Sequence, residues 1–159
     1  MIDTVFGLPA HPLLIHAAVV FGPLLVAAVV LYALVPALRP RLGWLTVLLA
    51  IAAPIALWLA RLSGERFMAM QKAHGANAAF IARMTNHQGF GNWASWSGTI
   101  LGVLTLLLVF AGTAAGNKPQ TPSSRTLLYT LIAASLIMAA ATGYYVFKTG
   151  DSGARMVWG

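Results

Sequence analysis

The side chains able to do chemistry are few: four histidines (His11, His16, His74, His87), three acids (Asp3, Glu65, Asp151) and no cysteine. Without thiolates, disulfides, iron–sulfur clusters and thioether-linked haem are excluded. Imidazole, carboxylate and thioether remain as donors, so the accessible chemistry is ligation of a haem iron or of a Cu, Zn or Fe ion. No Ser-His-Asp order, paired-carboxylate spacing or phosphate loop appears in the polar stretches, which disfavours hydrolysis and points to an electron carrier or membrane subunit rather than a stand-alone enzyme. No acid or base lies at mid-membrane, which argues against a proton or ion channel.

The elements that must position these groups are membrane helices. With 159 residues, 59% hydrophobic and only 8% charged, and a mean hydropathy of +0.79, the chain is far outside soluble usage. Four apolar runs, about 12–35, 43–62, 90–115 and 126–147, are each long enough to cross about 30 Å of hydrocarbon. The expected fold is therefore an all-α integral membrane four-helix bundle forming one domain over residues 1–159. Both termini fall on one side, together with a long polar loop between helices two and three (63–91), whose scattered apolar points, Phe67, Met68 and Met70 among them, also fit an interfacial or extended helix ending near Gly75. The ten Lys and Arg are scattered, so the net charge of +7 reflects membrane anchoring and not a nucleic-acid surface.

Local signals refine the runs. Pro12 suits the first helical turn, with His11 at the boundary and His16 about one turn in. Pro23 is placed to kink helix one, and Leu38-Arg39-Pro40-Arg41 forces an antiparallel return. Ala52, Ala56, Ala60 and Gly64 form a small-residue stripe suited to close helix packing, or less readily to a flat cofactor. Gly98 and Gly102 form a G-x-x-x-G pair, while Trp93, Trp96 and Trp158 suit interfacial belts. Thr85 to Gln88 matches a capping box, which would put His87 in the first turn of helix three. The segment G-N-K-P-Q-T-P-S-S-R breaks helices three and four.

Every histidine and every acid falls on the side of the termini. No Lys or Arg precedes helix one, whereas Arg39 and Arg41 follow it at once, so the positive-inside rule turns the histidine side outward. His16 and His87 each lie about one turn in, on helices one and three, which can sit diagonally in such a bundle. They are the expected axial pair of a b-type haem. His11 and Asp151 then support the ligands or the propionate side, and Arg155 or Arg83 pairs with a propionate. An alternative site for Zn, Cu or Fe uses His11, His16 and His87 with Asp151 or Glu65. His11 and His16 are about 140° apart around a helix, so sharing one centre requires His11 on a non-helical lead-in. A plainer reading makes the histidines helix-end caps, with His74 solvated and the methionines apolar filler. In that case the small-residue stripes dock a partner in a larger complex or a second copy.

The entrance F-G-L-P-A-H-P-L-L-I-H, the R-L-G-W opening helix two, S-G-E after it, H-Q-G-F-G before helix three and the closing G-D-S-G-A-R-M-V-W together resemble the bacterial family called domain of unknown function 2231. The resemblance spans nearly the whole chain, with the entrance and closing motifs its specific parts. It implies a four-helix protein of the bacterial inner membrane, with redox partners such as Rieske or cytochrome modules. Similar sequences usually carry histidine in the closing G-H-S-G-A pattern, where this chain has Asp151.

Overall fold

The computed structural model describes residues 4–5, 8–116 and 121–158. Asp3, Phe6 and Gly7 of the entrance and 117–120 of the last break lie outside them. Apart from a two-residue ladder pairing Thr4–Val5 with Leu8–Pro9 and a 3-10 turn at Pro36–Leu38, the described chain is helical. The helices are α1 (Ala10–Leu34), α2 (Arg39–Ala73), α3 (Ala78–Gly116) and α4 (Pro122–Trp158). All four are long and apolar enough to cross a membrane, which makes this a multi-pass membrane protein.

The helices form a ring. α1 packs on α2 and α4, α3 packs on α2 and α4, and α1 and α3 barely touch, so they are the diagonal pair. Small residues set the closest approach. A Cβ added at Gly102 would stand 2.5 Å from the Ala50 carbonyl oxygen, and one at Gly98 would stand 2.5 Å from Leu57 Cδ1. The G-x-x-x-G face of α3 therefore lies against α2, where Ala50, Ala53, Ala56 and Leu57 are buried. Large apolar side chains on the outer faces, Trp93, Trp96, Phe110 and Phe147 among them, are exposed. Exposed apolar surface of this kind is what lipid covers in a bundle whose own contacts rest on small residues.

The boundaries differ from the expectation in one consequential way. The polar stretch 63–91 is not a loop. α2 runs on to Ala73 and α3 starts at Ala78, leaving a tight turn in which Gly75 adopts φ +76°. Polarity there marks emergence from the bilayer and not loss of helix: the stretch is rich in helix formers such as Ala, Met, Gln and Arg. Arg61 and Glu65 reinforce α2 with an i,i+4 ion pair at 2.8 Å. The true N-cap of α3 is Asn77, whose Oδ1 accepts from the Phe80 amide at 2.8 Å. Thr85 is no cap, because its hydroxyl donates to the Ile81 carbonyl one turn back. At 35, 39 and 37 residues, α2, α3 and α4 are about 50–60 Å long, well beyond the hydrocarbon thickness. α4 likewise runs past the expected end at 147 to Trp158, and Pro23 sits inside an uninterrupted α1.

At the other end of the bundle Arg39 closes α1. Its Nε and Nη2 donate to the Tyr32 and Ala33 carbonyls at 3.0 and 3.1 Å, satisfying groups a helix terminus leaves open.

Candidate functional site: a histidine pair at one end of the bundle

The extended end of the bundle carries the site. α1 begins at Ala10, so His11 lies in its first turn and not on a non-helical lead-in. Its Nδ1 is 2.8 Å from Ser63 Oγ on α2, and its ring stacks on Phe67, centroids 5.8 Å apart at 21°. Across the bundle, His87 Nδ1 is 2.9 Å from Ser152 Oγ on α4. His87 is in the third turn of α3, because that helix starts at residue 78.

The two seats are built alike. Each serine hydroxyl hydrogen is used within its own helix: Ser63 donates to the Ala60 carbonyl at 2.8 Å, and Ser152 to the Thr149 carbonyl at 3.1 Å. A hydroxyl has one hydrogen, so a serine that donates to its own helix accepts from the imidazole. Both histidines are thereby assigned the Nδ1–H tautomer, which leaves each Nε2 with its lone pair. A glycine follows each serine for a steric reason. A Cβ at Gly64 would lie 3.0 Å from His11 Cε1, and one at Gly153 would lie 3.2 Å from His87 Cε1. The segments Ser63-Gly64-Glu65-Arg66 and Ser152-Gly153-Ala154-Arg155 thus form a repeated S-G-x-R, one copy per helix pair. That repeat was the available signal for Ser63, Gly64, Ser152 and Gly153, which reading the histidines alone passes over.

The two rings are neighbours in the electrostatic sense. Burial first, and then the charge of nearby His87, hold the His11 pKa below its usual value of 6.5, while the Ala60 carbonyl acts in the opposite direction. A half-buried imidazole near a second one is favoured as the neutral base, the form that ligates metals.

The other residues singled out from the sequence are placed differently. His16 is on α1 but exposed, whereas His11 and His87 are half-buried. Asp151 is held by Arg155 in an i,i+4 pair at 2.9 Å, with the arginine side chain 77% exposed, and Glu65 is held by Arg61. Arg83 is exposed. His74 Nδ1 bonds the Met70 carbonyl at 2.7 Å on the exposed end of α2. Among the described residues no three His, Asp or Glu side chains converge, so the arrangement presents two nitrogen donors and no carboxylate. No protein-family model matches the chain, and no curated protein or solved structure matches it either.

Proposed function

We propose that this protein binds one b-type haem between His11 and His87 and carries electrons at the outer surface of a bacterial inner membrane. The observation that carries the reading is the pair of Nδ1–H···Oγ bonds. They orient two neutral imidazoles from diagonal helices of one bundle, each with Nε2 left as a donor. Two nitrogen donors without a third ligand suit the two axial positions of a haem better than a tetrahedral ion. Bound there, with His11 and His87 as the residues that would hold it, the haem would supply a reversible one-electron couple. Ser63 and Ser152 hold the rings, Phe67 covers one of them, and Gly64 and Gly153 give them room. His11 thus takes the axial role that sequence spacing suggested for His16. Arg155 remains the basic group proposed for the propionate side. The outward orientation rests on Arg39 and Arg41 following α1. Kinship with the domain of unknown function 2231 family, through the entrance and closing motifs, belongs to the same proposal, as do a Rieske or cytochrome partner and self-association.

The test is the absorption spectrum of protein produced with ample haem, together with His11→Ala, His87→Ala and His16→Ala. A Soret band lost in the first two and kept in the third is expected. No Soret band in the wild-type protein would overturn the proposal.

A second reading has its own observation: each histidine bridges two helices, α1 to α2 and α3 to α4, as a staple would. It predicts a colourless protein in which His11→Ala and His87→Ala lower thermal stability. Stoichiometric Cu, Zn or Fe without porphyrin would instead favour a two-histidine metal site completed from outside the described residues.

A further inference from the structure

A shallow, open groove of about 450 Å³ runs along the outer seam of α3 and α4. Its wall is aromatic. Trp93 stacks on Tyr145 with centroids 5.9 Å apart at 20°, and Tyr144 meets Tyr145 edge-on at 5.3 Å. Phe90 continues the wall, with Lys148 Nζ 5.9 Å from its centroid. The floor is open at Gly89, where an added Cβ would find no atom within 4 Å. Asn86 forms the polar rim. Among the described residues neither the Asn86 amide nor the Tyr144 hydroxyl makes a hydrogen bond within the protein.

Three properties define the ligand. The groove lies where the apolar run of α4 ends at Lys148, the depth at which Trp and Tyr meet the lipid headgroups. Its wall takes the face of a flat ring. The Asn86 amide and Tyr144 hydroxyl on its rim are donors suited to carbonyl oxygens on that ring's edge. We propose that this groove binds the head ring of a lipid-soluble quinone, with its isoprenoid tail leaving along the lipid face of α3 and α4. The choice of a redox lipid over another flat lipid rests on the haem reading above, because Asn86 precedes His87 in the chain. Asn86 and His87 are consecutive on α3, about 1.5 Å apart in rise, with their side chains on different faces.

Binding can be measured without haem, which separates the two proposals. The protein is placed in nanodiscs of phosphatidylcholine and titrated with a short-chain ubiquinone or menaquinone analogue, following quenching of tryptophan fluorescence. Saturable quenching is expected in the wild type and in the His11→Ala, His87→Ala double variant. Gly89→Leu, whose Cβ meets no protein atom, places an apolar side chain in the groove and should weaken the apparent affinity at least tenfold while leaving helix content and any Soret band unchanged. Should Gly89→Leu fail to fold, Asn86→Ala with Tyr144→Phe is expected to weaken binding by a similar factor. Linear, unsaturable quenching, or equal affinity in these variants, would overturn the proposal. So would complete displacement of the analogue by added anionic phospholipid, which would mark the groove as a lipid headgroup site. A wild type with saturable binding but no Soret band would remove the haem reading and leave the groove standing.

Discussion

Replacing Ser63 by alanine removes the acceptor that orients His11 without touching the imidazole itself. The 2.8 Å bond from Nδ1–H disappears, and a half-buried donor is left with only the Ala60 carbonyl nearby. A hydrogen bond of this type is worth about 0.5–1.5 kcal/mol, and loss of a partner that orients a ligating histidine typically costs about 10–100-fold in affinity. The remaining carbonyl moderates the loss, so haem affinity should fall about tenfold, equivalent to about 1.4 kcal/mol. Ser152→Ala removes the matching bond to His87 on a different helix pair, and the double variant should lose about 100-fold if the two seats act independently. Threonine at either position keeps a hydroxyl that can both donate to the preceding turn and accept from the ring, so Ser63→Thr should restore most of the affinity. The assay is titration of apoprotein in nanodiscs with haemin, read from the Soret absorbance, with thermal unfolding of each apoprotein alongside. A double variant that binds haem within twofold of the wild type would refute the tautomer argument. So would affinity losses that merely track lost helix.

Acidification should destabilise the protein through His11. Its folded pKa is held below the ordinary 6.5, so the unfolded chain takes up the proton first as pH falls. The stabilisation is full above about 6.5 and is lost on descending toward the folded pKa. Thermal unfolding at pH 8 and pH 5 checks this, and a slope that His11→Gln leaves unchanged would count against it. Gly102→Ala places a Cβ 2.5 Å from the Ala50 carbonyl oxygen and 3.0 Å from Pro54 Cγ. Backbone cannot step aside there, so α2 and α3 must separate at a cost of about 1–3 kcal/mol. Denaturation of Gly102→Ala beside Gly89→Ala, which has open space, should show loss only in the first. Asp151→Asn breaks a largely exposed pair with Arg155 worth less than about 1 kcal/mol. It should change neither the Soret band nor the metal content, whereas loss of a bound ion would make Asp151 a ligand after all.

Much of the architecture was legible in advance because hydrophobic thickness is a one-dimensional constraint. Four runs of about 20 apolar residues can do little but cross a bilayer. Gly98 and Gly102 marked a close helix contact for the same reason: small side chains are what lets membrane helices approach. Within 63–91 the helix ending near Gly75 is legible from its apolar points, whereas the helical state of the rest is not, because hydropathy reports the surroundings of a helix and not its hydrogen bonds. The segment's polar residues lie on helices continuing beyond the membrane, and the chain turns only at Gly75.

The composition and order of residues by themselves determined that this is a four-helix membrane protein, that it carries imidazoles and no thiolates, and that the histidines gather at one end. Which histidines are seated on a neighbouring helix was decided only in three dimensions. On a lone helix His11 and His16 differ by angle alone, and nothing local says which direction is inward. That direction is set by where α2 and α4 pack, and there Ser63 and Ser152, distant in sequence, supply the oxygens that receive His11 and His87. The hydrogen-bonding state of each ring, and with it the free Nε2, is a property of those contacts and of no stretch of chain taken alone.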